Sequence, residues 1–330
     1  VNVAIISSAH GFGHVTRDLV LADALEAMGA RVTCFHAAPP SVLGGRPAVA
    51  WTVDVGIAQH DSLTEDLPAT LARLAEVVTD ARIDALAQRL SAFDRVVVDI
   101  APPALEAARR AQVPAHAFGN FDWAWIYAHY PELGGWARRF AAWQAPHPAL
   151  AMQPGPGLFG FASVEDIGLV GRRAAGEGRL VAEGRAVLVG FGGLGLADVE
   201  GLLPRIPGVT WICAPPMPRI VRADIRFVAD VPFPALVAGV DAVFTKPGYG
   251  IFAEAALAGT PVVWLDRGQF PEAPSLEAAL LARGDVKVQS RAGVADALRE
   301  RWARPAPPPA VGGGEHRAAA VILRAGEAGG

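Results

Sequence analysis

Four segments of this 330-residue chain carry side chains suited to chemistry, and each follows an apolar run of strand length. The first reads Ser8-Ala9-His10-Gly11-Phe12-Gly13-His14-Val15-Thr16-Arg17. Its glycines let the backbone turn tightly between strand and helix, and the helix start offers N–H groups to a polar or anionic ligand. An imidazole titrates near neutral pH and can take a proton from a hydroxyl, which makes His14 the leading candidate base. Asp99, at the end of the apolar run 94–100, is the second candidate. The spacing of His10 and His14 mimics a helical metal pair, but the segment reads as a loop, so no metal is expected. The second segment, Gly190-Phe191-Gly192-Gly193-Leu194-Gly195, satisfies the pattern G-x-G-x-x-G. A dinucleotide ribose would need an acid at the end of the next strand, which instead ends Trp211-Ile212-Cys213-Ala214-Pro215-Pro216. Gly192 and Gly193 are therefore read as backbone that approaches a diphosphate.

The third segment, Asp241 to Glu254, carries the most information. A strand ends at Thr245, and Gly248, Tyr249 and Gly250 open a helix whose amides can cradle phosphates. Glu254 falls about one turn inside, where a carboxylate accepts hydrogen bonds from the vicinal hydroxyls of a ribose. Lys246 is one of only two lysines, with Lys287, among 29 basic residues, and stands where a cation offsets diphosphate charge. The fourth segment runs from Asp266 to Glu272, and Arg267, Gln269, Phe270 and Glu272 are read as reaching the hydroxyls of a sugar. Between the halves lies an aromatic-dense stretch, Phe118 to Trp143, with Asn120, Asp122 and Trp123 at its centre. Core packing takes some of these aromatics; others suit a cleft that holds a sugar or a hydrophobic acceptor.

The elements that must position these residues alternate strand and helix. Strands are predicted at 2–7, 31–36, 49–55, 94–100 and 113–118, then at 185–190, 208–213, 225–229, 241–245, 261–265 and 286–289. Helices are predicted at 15–28, 67–91, 102–111, 232–239, 250–258, 272–283 and 292–302. Near-continuous Val/Ile/Leu strands imply parallel sheets covered on both faces. Gly29 and Gly259 close helices, and Pro114 and Pro261 precede strands. The pattern starts twice, with a Gly/Pro/Arg-rich linker at 153–184 between. The expected domains are 1–165 and 166–310, and ligands of such sheets bind at the carboxyl ends of the strands. A final segment, 311–330, holds a short helix that either returns to the first domain or frays.

Composition narrows the function classes. The chain is 52% hydrophobic and 19% charged, with net charge −4 and no long basic run, so a nucleic-acid footprint is not expected. No apolar run approaches a membrane span, and the N-terminal one is too short for a signal peptide. Cys34 and Cys213, each in an apolar run, read as buried thiols of a reducing, cytoplasmic compartment. Scarce lysine with abundant Ala, Gly, Pro and Arg suggests a GC-rich bacterial genome.

Taken together, these residues resemble the N-terminal, glycosyltransferase-like half of the L-arabinokinases. The similarity runs through His10-Gly11-Phe12-Gly13-His14 with Thr16-Arg17, and Asn120-Phe121-Asp122-Trp123 with Trp125-Ile126-Tyr127. It continues in Lys246-Pro247-Gly248-Tyr249-Gly250 and Phe270-Pro271-Glu272. A more distant resemblance is to the N-acetylglucosaminyltransferase that makes lipid II, in the Gly-rich loop before a histidine and the Gly-rich helix start followed by glutamate. The resemblance implies an α/β fold of the GT-B type, two Rossmann-like domains whose parallel sheets face a central cleft. It implies a nucleotide-diphosphate sugar donor, UDP-linked, on the C-terminal domain and an acceptor on the N-terminal one. Glu254 then matches the ribose-binding glutamate and His14 the acceptor-side histidine, with His10, Gly11, Phe12, Gly13, Arg17, Asn120, Asp122 and Trp123 around it. Transfer without metal or cofactor, with inversion, is the expectation by analogy; kinase activity and the acceptor's identity are not carried over. A nucleotide-sugar hydrolase, a 2-epimerase and a non-catalytic sugar-nucleotide-binding protein remain the alternatives.

Overall fold

The computed structural model describes the whole chain apart from residues 40–41, 44, 62–63, 176–183, 192–198 and 325–330. Contacts divide it into two units. The first comprises Val1–Gln59, Glu65–Val170 and the described part of Gly313–Gly330; the second comprises the described parts of His60–Thr64 and Gly171–Gly312.

The first unit is built on β1 (Asn2–Ser7), α1 (Phe12–Ala27), β2 (Arg31–His36) and β3 (Ala48–Ala50). After a small ribbon, β4 (Gln59–Asp61) and β5 (Thr64–Glu65), come α2 (Leu67–Val77), α3 (Asp80–Leu90), β6 (Arg95–Asp99), α4 (Pro102–Ala111) and β7 (Ala115–Gly119). Then follow α5 (Trp123–Ala128), α6 (Gly134–Gln144), β8 (Pro148–Met152) and β9 (Ser163–Gly168). The sheet order is β3-β2-β1-β6-β7-β8-β9, with every pair parallel. Val3 to Ile6 and Val96 to Val98 are fully buried, as central parallel strands covered on both faces require. The sheet is doubly wound: the chain leaves β1 in one direction, through β2 and β3, and returns to its other side at β6.

The second unit repeats the plan with β10 (Arg185–Gly190), β11 (Val209–Cys213), β12 (Ile225–Phe227), α7 (Phe233–Gly239) and β13 (Ala242–Thr245). It continues through α8 (Tyr249–Ala258), β14 (Val262–Trp264), α9 (Ala273–Ala282), β15 (Val286–Lys287) and α10 (Val294–Trp302). The order β12-β11-β10-β13-β14-β15 is again parallel and doubly wound about its first strand. One face is filled by Val187, Val189, Phe191, Trp211, Phe244 and their neighbours.

The last helix, α11 (Gly314–Arg324), belongs to the first unit, packs on α1 and β9, and buries Ala318, Ala319 and Ile322 completely. Three expectations need correction. The predicted helix 67–91 is two helices, because Thr79 leaves the helical conformation and its side chain caps α3 through the Arg82 amide. The predicted strand 49–55 is only Ala48–Ala50. The stretch assigned to a linker contains β9, an edge strand whose first four residues are exposed and so carry no apolar alternation. Strand β8 was likewise not anticipated.

Candidate functional site

In a doubly wound sheet the crevice opens where neighbouring strands lead off to opposite sides, at their carboxyl ends. In the first sheet that point lies between β1 and β6, paired in register Ser7 with Asp99. Helix α1 begins at Phe12, with Gly11 at its N-cap, so His14 stands in the first turn and not in a loop before it. Asp99 is completely buried and receives three groups. His14 Nδ1 lies 2.9 Å from Oδ1, Arg17 donates from Nε to Oδ2 at 2.6 Å, and Arg17 Nη2 donates to Oδ1. The remaining fork of Arg17, Nη1, donates to Asn120 Oδ1 at 2.8 Å. Burial alone would raise the Asp99 carboxyl, but the Arg17 guanidinium and His14 outweigh it and hold the group well below the usual carboxylate range. The residue that follows, Ile100, has φ 46, a left-handed conformation that costs a non-glycine residue about 1–3 kcal/mol.

Two further carboxyls surround this centre. Asp18, one residue beyond Arg17, accepts from Ser7 Oγ, and burial followed by the nearby Asp99 charge pushes its carboxyl well up. Asp54 accepts from the Ala9 amide at 2.7 Å and is pushed up to about 7, chiefly by burial. It thereby ties the Ser8–Gly11 turn to the chain after β3. Gly56 completes that tie. Its φ is +60, and a Cβ there would stand 2.4 Å from the Cβ of His10, so the two backbones approach this closely only because residue 56 is glycine. Neither acid was singled out from the sequence, where the signal for Asp54 was a carboxylate between Val53 and Val55.

Around His14 the aromatics form a wall. The His10 ring meets Trp123 edge-on at 4.9 Å, and Phe121 meets both His14 and Trp123 edge-on, at 6.0 and 5.2 Å. Trp123 donates to Ser8 Oγ at 3.1 Å, and the Tyr127 hydroxyl donates to the Gly56 carbonyl at 2.5 Å. Gly11 and Gly13 are exposed; His10 and Phe12 are half-buried. Four of the residues expected on the acceptor side, Arg17, Asn120, Asp122 and Trp123, are buried. Arg17 and Asn120 are buried and serve Asp99. Asp122 caps α5 through the Trp125 amide and also accepts from Gln144 and the Phe159 amide, so its oxygens are committed to the fold.

In the second sheet the equivalent crevice lies between β10 and β13, where the Thr245 hydroxyl donates to the Gly190 carbonyl. Gly192 and Gly193 lie outside the described residues. Helix α8 starts at Tyr249, with Gly250 in its first turn and Gly248 as an N-cap that has no side-chain hydrogen bond, a terminus suited to an anion. Lys246 is half-buried just before it. Glu254 is buried in the second turn. Its Oε1 takes Nε and Nη2 of Arg172, both at 2.6 Å, while its Oε2 is buried with no hydrogen-bond partner among the described residues. Burial raises the Glu254 carboxyl and Arg172 opposes the rise. Arg172 was absent from the sequence reading, lying in the stretch assigned to a linker.

The fourth segment folds inward. Arg267 pairs with Glu272 at 2.9 Å, donates to the Pro247 carbonyl at 3.3 Å and lies over the Phe270 ring at 3.8 Å. All three side chains are buried, and Gln269 alone of the four predicted sugar contacts is exposed. The cluster thus ties this loop to the segment before α8.

No family model matches the chain. It is 29% identical over 300 residues to L-arabinokinase of Arabidopsis thaliana, covering 82% of this chain and 28% of that protein. The chain therefore spans little more than a quarter of that curated relative. Among solved structures it is similar to the glycotransferase of kitacinnamycin, with TM-score 0.66, 20% identity and 98% of both chains covered. The glycosyltransferase SnogD from Streptomyces nogalater gives TM-score 0.59 at 18% identity, covering 98% of this chain and 99% of that one. UGT89C1 of Arabidopsis thaliana, solved with UDP, gives 0.63 at 14% identity, covering 100% and 96%. At such identities the likeness speaks for architecture, and with two parallel doubly wound sheets the chain has the GT-B fold of these glycosyltransferases.

Proposed function

We propose that this protein transfers a sugar from a nucleotide-diphosphate sugar, UDP-linked, to an acceptor hydroxyl, without a metal and with inversion. The observation that carries the proposal is the His14–Asp99 contact, 2.9 Å long, at the switch point of the first sheet. On this reading Nδ1, which lies 2.9 Å from both Asp99 Oδ1 and Arg17 Nη2, carries the proton and donates it to the ionised Asp99, and Nε2 keeps the lone pair that can take a proton from an acceptor hydroxyl. Asp99 itself is enclosed and cannot meet an acceptor, so its role is to orient His14 and stabilise the imidazolium that forms. Arg17 and Asn120 fix the carboxylate in turn. His10, Phe12 and the exposed glycines 11 and 13 belong on this reading to the acceptor side, with Trp123 buried behind the His10 ring.

The second unit supplies the donor site. The first-turn amides of α8, from Gly248 to Gly250, meet the diphosphate with Gly192, Gly193 and Lys246, and Glu254 receives the pentose hydroxyls. Negative charge builds on the leaving diphosphate, and fixed amide dipoles stabilise it in the place of a metal ion. UDP as the nucleotide draws support from the relative solved with it. The buried thiols Cys34 and Cys213, pushed up to about 12 and about 11 chiefly by burial, suit a reducing cytoplasm. Among the described residues no helix is long and apolar enough to cross a membrane.

His14→Ala is expected to lower turnover by about 10²-fold or more and leave donor binding near normal. Unchanged turnover removes His14 as the base. A thermal-shift panel of UDP, dTDP, GDP, ADP and their sugars, with and without EDTA, tests the donor class, and an EDTA-sensitive response contradicts the metal-free reading. Rapid turnover of UDP-sugar without any acceptor instead assigns a hydrolase or epimerase.

A further inference from the structure

Glu254 and Arg172 make a contact that nucleotide binding must reckon with. The Glu254 side chain is 4% exposed, and such a carboxylate stays ionised only beside a cation. The cation is Arg172, 31% exposed and delivered by the chain just after β9. Its approach is fixed by the residue before it: a Cβ on Gly171 would stand 2.8 Å from the Cβ of Ala253, so the backbone lies directly against α8 one residue from each partner. The contact is one-sided. Both Arg172 nitrogens take Oε1, where a fork-to-fork pair would use both oxygens, and Oε2 is buried without a partner among the described residues. An orphaned carboxylate oxygen is costly unless a ligand hydroxyl reaches it.

A second cation near this turn, Arg283, is held by Asp285 and by the carbonyls of Ala255 and Thr260.

We propose that Arg172 is a positioning residue for nucleotide binding: it takes one oxygen of Glu254 and leaves the other to accept the pentose hydroxyls. The inference rests on the reading of Glu254 given above. Without Arg172 the buried carboxylate would protonate at higher pH, and a neutral acid is a poor acceptor for a diol. The effect of removing Arg172 must therefore depend on pH, which a loss of packing alone would not.

The test is the affinity of UDP for the full chain, by titration calorimetry between pH 5.5 and 8, in wild type, Arg172→Met, Arg172→Lys, Glu254→Gln and the Arg172→Met/Glu254→Gln double variant. Dividing each value by that of Glu254→Gln at the same pH removes the nucleotide's own titration. Arg172→Met should weaken UDP by about tenfold at the acid end and recover as pH rises. The double variant should bind no worse than Glu254→Gln. Arg172→Lys, which keeps the charge and the fold, should shift the pH midpoint less, and it is read alone if Arg172→Met does not fold. Wild-type affinity in Arg172→Met, or a loss equal at every pH, overturns the inference and leaves the reading of Glu254 standing. A wild type that binds neither UDP nor another nucleoside diphosphate removes both.

Discussion

Asp99→Asn keeps the volume of the side chain and removes its charge. The native carboxylate accepts from His14 Nδ1 and Arg17 Nη2 on one oxygen and from Arg17 Nε on the other. An amide offers one acceptor oxygen, so its NH₂ must face either the Arg17 Nε–H or the His14 and Nη2 side, donor against donor. Arg17 is itself buried, with its Nη1 held by Asn120. Breaking one side of a buried ion pair costs about 3–5 kcal/mol. At about 2–4 °C per kcal/mol, the transition of the first unit should fall by roughly 6–20 °C. The imidazole also loses the acceptor that sets its tautomer, and turnover should fall by about 10²–10⁴-fold. Because Asp99 is held below the ordinary carboxylate range, its stabilising contribution is present above about pH 4. It is lost only as pH falls through the lower folded value; from pH 5 to 8 the deficit of the variant should shrink as pH rises, because removing the Asp99 charge relieves the raised carboxyl of Asp18. Calorimetric scans across that range, with steady-state rates on the same preparations, give both numbers. A variant that melts with wild type and keeps its turnover refutes the argument that Asp99 holds His14 and Arg17.

Gly56→Ala places a methyl against His10 in a left-handed backbone, and should cost about 2–4 kcal/mol with a drop in turnover and no change in UDP affinity. An unaltered urea midpoint contradicts the close approach. Asp54 is pushed up to about 7 by burial, so the folded protein holds a proton that the unfolded chain releases near pH 4. The stability this proton brings is lost as pH rises through 7, and Asp54→Asn should gain on wild type by a few kcal/mol between pH 4 and 8. A difference that does not change with pH, measured by urea unfolding, shows that Asp54 is ionised throughout.

Much of this was legible because a buried parallel sheet leaves a strong imprint. Val3 to Ile6, Val96 to Val98 and Val187 to Val189 are continuous apolar runs, and the glycines after β1 and β13 mark the turns into α1 and α8. Strand β9 left no imprint, since an edge strand with Ser163, Val164, Glu165 and Asp166 exposed lacks both alternation and an apolar run. The candidate site was legible in membership but not in arrangement. His14, Arg17, Asp99 and Asn120 were each named, yet spacing along the chain could not show that Arg17 and Asn120 are buried props of Asp99. The inward turn of Arg267 and Glu272 was not legible for the same reason, because a charged loop residue carries no mark of a partner five positions away. Arg172 stood in a breaker-rich stretch full of arginines, and only the fold selects it.

The most direct test is a crystal structure of the full chain with UDP bound in the presence of EDTA. The account predicts the diphosphate at the amide end of α8, beside Gly248 and Tyr249, and the pentose hydroxyls on Glu254, with no ion bridging the phosphates. UDP seated on the first unit, or a carboxylate at 254 that never touches the nucleotide, would contradict it.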